Sequence, residues 1–130
     1  MAEKKAILIV DDSKTVRNLV SFVIKKAGFK VITAEDGLEG LEKLYSHPEI
    51  VLVVSDINMP RMDGLTFIRN IREQEAFRDL PIIILSTEGE DKDIQAGLEV
   101  GADIYMVKPA QPNKLLKNIN MLLGKKETKL

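Results

Sequence analysis

Ile50-Val51-Leu52-Val53-Val54-Ser55-Asp56 is a run of five apolar residues and a serine that ends on a carboxylate. An apolar run of this length with no polar alternation is the pattern of a strand covered on both faces. Two other runs have the same form, and a shorter fifth strand also leads to a polar residue. Ala6-Ile7-Leu8-Ile9-Val10 precedes Asp11 and Asp12, Ile82-Ile83-Ile84-Leu85 precedes Ser86, and Ile104-Tyr105-Met106-Val107 precedes Lys108. Lys30–Ala34 reads as a further strand, second in chain order. Strand and helix patterns alternate five times, which argues for a parallel α/β sheet with helices on both faces. In such a sheet all strand C-termini lie along one edge, where ligands bind. Asp11, Asp12, Asp56, Ser86 and Lys108 are therefore expected to converge on one pocket of three carboxylates, a hydroxyl and an ammonium.

The intervening segments carry helical stripes. Helix one starts after Ser13, a plausible cap, and offers Val16, Leu19, Val20, Val23, Ile24 and Ala27 before Gly28 closes it. Asp36 can cap helix two, with Glu39 placed as the acid of a capping box and Leu38, Leu41, Leu44 and Tyr45 on its inner face. A rigid turn, residues 58–64, precedes helix three, whose stripe is Leu65, Ile68 and Ile71. Pro81 opens the fourth strand at its first residue. Helix four, residues 88–101, is the weakest: Ile94 and Leu98 are its only large apolar residues, and Gly97 sits inside it at a cost of roughly 1 kcal/mol against alanine. Pro112 fits the first turn of helix five, which presents Leu115, Leu116, Ile119, Leu122 and Leu123 and is expected to end at Gly124.

The 130 residues are expected to form one domain, 1–130, with its core in 5–124 and a polar tail over 125–130. The net charge of −1 carries no basic excess, so nucleic-acid binding by this chain is not expected. There is no cysteine, hence no disulfide frame or thiol chemistry. No stretch reads as a signal peptide core or a membrane span, and a cytoplasmic protein is expected.

Two adjacent acids at one strand end and a third at a neighbouring one suit a hard divalent cation such as Mg²⁺, which takes oxygen ligands. Paired acids can also serve general acid–base chemistry, and Asp11-Asp12 alone can be helix-capping charge. Asp56 can act as a nucleophile and form an acyl phosphate. The phosphoryl group in transfer needs a cation on one side and fixed donors on the other, roles open to Lys108 and Ser86. His47 reads as a solvated turn residue, since one histidine makes no metal site. Met59 and Met62 read as packing in their turn.

Four motifs at these spacings, Ile9-Val10-Asp11-Asp12, Asp56-Ile57-Asn58-Met59-Pro60-Arg61-Met62-Asp63-Gly64, Leu85-Ser86-Thr87 and Val107-Lys108-Pro109, resemble a two-component response-regulator receiver domain, in particular the stand-alone chemotaxis CheY-type proteins. The resemblance covers about residues 5–124. It implies a flavodoxin-like fold: a doubly wound five-stranded parallel sheet, order 2-1-3-4-5, with five helices. It also implies a phosphorylation-activated switch rather than an enzyme acting on other molecules. Asp56 would accept a phosphoryl group from a sensor histidine kinase. Asp12, Asp56 and the Asn58 carbonyl would bind Mg²⁺ directly, with Asp11 helping through water. Lys108 and Ser86 would hold the phosphoryl oxygens, Tyr105 would be the switch aromatic, and Asn58 and Glu88 would tune dephosphorylation. The output would leave through helix four, strand five and helix five toward a downstream protein target such as the flagellar motor switch, the chain acting as a monomer. Ala110 stands where the family usually has an aromatic residue.

A receiver for another two-component pathway or a phosphorelay is the alternative within the family. An aspartyl-phosphate phosphatase is the alternative outside it; such enzymes usually place the nucleophile after the first strand with a second Asp two residues on, and here position 13 is Ser.

Overall fold

Apolar runs too short for helices become five parallel strands, and each amphipathic segment between them becomes a crossover helix. The computed structural model describes residues 4–127, with side chains described as far as residue 124. In chain order the elements are β1 (Ala6–Val10), α1 (Lys14–Lys26), β2 (Lys30–Ala34), α2 (Gly37–Ser46), β3 (Ile50–Ser55), α3 (Gly64–Glu73), a 3-10 turn (Glu75–Phe77), β4 (Ile82–Ser86), α4 (Asp91–Glu99), β5 (Ile104–Val107) and α5 (Pro112–Glu127). The sheet order is β2-β1-β3-β4-β5, all parallel, as the resemblance implies. Strand order reverses between β1 and β3, and that switch point opens the crevice at the C-terminal edge.

The three central strands, β1, β3 and β4, are buried almost throughout because successive side chains feed two different cores, whereas the edge strands β2 and β5 are only partly covered. Leu8 and Val10 join Val53, Ile82 and Ile84 under α2 and α3. Ile7 and Ile9 join Leu52, Val54, Ile83 and Leu85 under α1 and α5, where Val20, Ile24, Leu115, Ile119 and Leu123 close the layer. Every residue of β1 and β4 is buried, which is why neither run alternates.

Several stripe residues differ from the sequence reading. Leu19 is 64% exposed, and Ala27 is also exposed; Phe22, 65% exposed, joins Leu19 on the outer side of α1. In α2, Leu38 and Tyr45 point outward, and the buried face is Gly37, Gly40 and Leu44. The reason is a close approach: a methyl on Gly40 would lie 2.8 Å from the Phe67 ring. Phe67, absent from the expected stripe of α3, is fully buried in the middle of that core. Burial of such a side chain contributes about 1.5–3 kcal/mol. Glu39 reaches the backbone N–H of Glu35 at 2.7 Å, one residue beyond the capping-box partner, while Asp36 does cap α2 by accepting from Glu39 N at 2.9 Å.

Helix α4 is shorter than expected, because residues 87–90 form a loop and Glu90 with Asp93 makes the capping box. Pro81 lies just before β4 and lends its carbonyl to Val53 N. Gly124 does not end α5, which runs on to Glu127; nothing crowds that glycine, and a lone glycine is tolerated in a helix. The expected tail is thus partly helical, and residues 128–130 lie outside the described part. His47 caps the end of α2, with its Nδ1 near Ser46 Oγ and the Lys43 carbonyl. Among the described residues no helix is long and apolar enough to cross a membrane.

Candidate functional site

The C-terminal edge of the sheet collects the acids by register. Val10 of β1 pairs with Ser55 of β3, so the residues that follow, Asp11 and Asp56, emerge side by side. Carboxylate oxygens of Asp11, Asp12 and Asp56 all lie within 4.8 Å of one another. Asp11 and Asp56 are buried, 3% and 8% exposed, whereas Asp12 faces solvent. The Asp11 carboxylate accepts from Ser13 N at 2.9 Å, and its carbonyl accepts from Arg17 at 2.7 Å. The Asp56 carboxylate accepts from Ile57 N at 2.6 Å.

Lys108 arrives from the end of β5. Its Nζ is 2.9 Å from Asp11 Oδ2 and 3.2 Å from Asp56 Oδ2. One ammonium therefore serves two buried carboxylates, and the peptide bond that follows, Lys108–Pro109, is cis. Three carboxylates against one ammonium leave an acid excess at a partly solvated mouth. That donor set, all oxygen and open on the Asp12 side, fits a hard divalent cation.

The carbonyl of Asp56 lies under α3. A methyl on Gly64 would sit 2.1 Å from it, so this helix start has to be glycine. Gly64 N also donates to the Ile57 carbonyl at 2.7 Å, which fixes the backbone just past Asp56. Gly64 belongs to the motif around Asp56, but its spacing alone does not reveal this contact.

Ser86 is fully buried, and its hydroxyl accepts from Glu88 N at 3.1 Å. Glu88 has two further partners. Its carboxylate accepts from Asn58 Nδ2 at 3.3 Å, and its carbonyl accepts from the Tyr105 hydroxyl at 2.5 Å. The structure thus brings Asp11, Asp12, Asp56 and Lys108 into one cluster. It places Ser86, Asn58, Glu88 and Tyr105 in a second, hydrogen-bonded set along the β4–α4 loop. Gly97 of α4 is buried against Tyr105: a methyl there would lie 2.6 Å from Ile84 Cδ1 and 2.9 Å from the Tyr105 ring. The interior glycine that weakens α4 by propensity is what lets the ring lie under the helix.

Burial pushes the Asp56 carboxyl above its usual range, and nearby Asp11 adds to this; the Ile57 N–H and Lys108 oppose it. Burial alone would lower Lys108, but its hydrogen bond to Asp11 and the two negative charges outweigh burial and raise it. The signs differ. Lys108 contributes stability at all lower pH and loses it only as pH rises through its raised value. Asp56 is the reverse of a stabilised carboxylate: the fold holds its proton more tightly than the unfolded chain does, so its ionisation opposes folding as pH rises. Asp56→Asn is therefore expected to be more stable than wild type at about pH 7 without divalent cation, with the gap closing toward about pH 4. Urea unfolding at a series of pH values measures this; a mutant that is less stable at neutral pH would contradict it.

Residues 7–120 match the response regulator receiver domain model. The chain therefore belongs to the response regulator receiver family, and its fold is of the CheY type. It is 34% identical over 119 residues to chemotaxis protein CheY1 of Helicobacter pylori, covering 91% of this chain and 96% of that protein. The structure of chemotaxis response regulator CheY4 of Vibrio cholerae superposes with a TM-score of 0.85 at 38% identity, covering 92% of this chain and 99% of that one. A chain of the CheX-CheY-BeF3-Mg²⁺ complex of Borrelia burgdorferi superposes with a TM-score of 0.84 at 32% identity, covering 92% of this chain and 89% of that one. Receiver domains of this type are phosphorylation-activated signalling switches, and two-component signalling is the setting of the family.

Proposed function

We propose that this chain is a chemotaxis-type switch that takes a phosphoryl group onto Asp56 from a histidine kinase and passes the signal through α4, β5 and α5. The observation that carries this reading is the pairing of the buried Asp56 carboxylate with Lys108 at 3.2 Å, beside two further acids. Asp12, Asp56 and the Asn58 carbonyl would hold Mg²⁺, with Asp11 acting through water; bound there, the cation would offset phosphoryl charge.

Asp56 attacks phosphorus, the bond from phosphorus to the donor nitrogen breaks, and that electron pair leaves with the imidazole. Lys108, already aimed at the Asp56 carboxylate, offers its ammonium to one phosphoryl oxygen. Ser86 supplies a second donor once its hydroxyl leaves Glu88 N. Asn58 and Glu88 meet across the mouth, where a hydrolytic water would approach, which suits a role in setting the lifetime of the acyl phosphate. Leu98 of α4, Val107 of β5 and Met121 of α5 are large apolar side chains left exposed, consistent with a protein target on that face. The CheY1 and CheY4 relatives favour chemotaxis, and the flagellar motor switch is the target this reading names.

Incubation with acetyl phosphate and Mg²⁺ is expected to add about 80 Da to the wild type and nothing to Asp56→Asn. Intact-mass spectrometry reads both. An equal gain in the mutant would move the acceptor elsewhere, and no gain in either would remove the phosphoryl-transfer reading.

A further inference from the structure

Arg61 lies in the loop between β3 and α3 and is the only non-glycine with a positive φ, 63°, among the described residues. That left-handed geometry is disfavoured for a side chain with a Cβ. Its guanidinium explains why it stays there. Nε donates to Asp36 Oδ2 at 2.7 Å and an Nη donates to Oδ1 at 3.2 Å, a two-pronged pair that a lysine could not reproduce. Asp36 is 4% exposed and is anchored in turn, because the same carboxylate caps α2. One residue on from each partner, Gly37 N donates to the Met62 carbonyl at 3.0 Å. A methyl on Gly37 would lie 2.7 Å from Met62 Cγ, so the loop rests directly on the start of α2. The loop is thus tied to an element that bears no residue of the acidic cluster, and it starts from Ile57 and Asn58.

We propose that the Asp36–Arg61 pair is a positioning device for the cation site, holding the β3–α3 loop in the one conformation from which the Asn58 carbonyl would reach a cation held by the acidic cluster. The proposal rests on the reading that Asn58 and the acids hold Mg²⁺. Neither partner touches the cation. They act by keeping a disfavoured backbone geometry in place before binding, so that binding need not order the loop.

A positioning role and a purely electrostatic one differ in sign. By charge alone, removing Arg61 should tighten Mg²⁺ binding and removing Asp36 should weaken it. If the pair positions the loop, both changes weaken binding. Arg61→Gly removes the guanidinium but adopts the left-handed geometry without penalty, so it should fold well. Asp36→Ser keeps a capping oxygen for α2 and removes the two-pronged acceptor.

The test is a Mg²⁺ titration of the ¹⁵N-labelled full chain, followed by amide shifts, for wild type, Arg61→Gly, Asp36→Ser, the double variant and Asp12→Ala. Arg61→Gly and Asp36→Ser are each expected to weaken binding about tenfold, the low end for losing an outer partner of a metal site, and the double variant no further. Amides of Asn58, Met59, residue 61 and Met62 should also show more motion in both single variants before any cation is added. Tighter or unchanged binding in Arg61→Gly would overturn the proposal, as would additive losses in the double variant. Asp12→Ala separates the two levels. If it loses binding while Arg61→Gly does not, only the positioning role fails; if it keeps wild-type affinity, the cation reading fails and the proposal with it.

Discussion

Lys108→Ala is expected to bind Mg²⁺ at least as tightly as wild type and to lose its response to beryllofluoride, the mimic of the acyl phosphate. The two halves have one cause. Lys108 places a positive charge 2.9 Å from Asp11 and 3.2 Å from Asp56, and a cation at those carboxylates is repelled by it. Removing it strengthens the acids' attraction for Mg²⁺, by a several-fold factor at the effective dielectric of a partly solvated site. The same removal deletes the ammonium that would meet a phosphoryl oxygen, and no other cation approaches Asp56 among the described ion pairs. Stability should follow the same logic. Without divalent cation the mutant leaves two buried carboxylates uncompensated and should unfold more easily, by less than the roughly 3–5 kcal/mol of a fully buried broken pair because Asp12 opens the site to water. Adding Mg²⁺ should restore most of the loss. A mutant that still switches fully with beryllofluoride would show that Lys108 does not contact the phosphoryl group.

Ser86→Ala should separate acceptance from signalling. It leaves the acids and Lys108 untouched, so acetyl phosphate should still add its mass at Asp56. What it deletes is the hydroxyl that links the site to Glu88, whose carbonyl in turn holds the Tyr105 hydroxyl. Moving that hydroxyl toward a phosphoryl group must release Glu88 N and pull the β4–α4 loop with it. Tyr105 and the glycine-backed space beside α4 lie at the other end of that chain of contacts. The loop can shift cheaply, because α4 buries only Gly97 fully and is the least anchored helix. With alanine at position 86 the two ends are uncoupled, and the α4 surface should keep its unphosphorylated behaviour at full occupancy of Asp56.

Most of the site was legible from strand ends. Asp11, Asp12 and Asp56 follow, and Ser86 ends, runs that become buried strands, Lys108 follows the short edge strand β5, and parallel topology then forces all five onto one edge. What escaped the sequence involves contacts that leave no local pattern. Gly40 and Gly97 are buried, yet a glycine adds nothing to an apolar stripe, so Leu38 and Tyr45 looked like the better inner face of α2. Leu19 fits the period of α1 but faces outward, since a helix on a sheet buries a narrower arc than its full stripe. Phe67 fell between the spaced aliphatic positions of α3. Arg61 and Asp36 are 25 residues apart and meet only because α2 and the β3–α3 loop share one end of the sheet. Each of these is a product of packing between elements, whereas strand ends are properties of single segments.

On the proposed reading, occupancy of Asp56 passes through Ser86 and Glu88 to Tyr105 and α4. Hydrogen exchange across residues 88–106, with and without Mg²⁺ plus beryllofluoride, tests it most directly. The wild type is expected to slow its exchange in this segment as the loop and Tyr105 settle into one state, and Ser86→Ala is expected to show no such change. Unchanged exchange in the wild type, or a Ser86→Ala response as large as the wild type's, would contradict the claim.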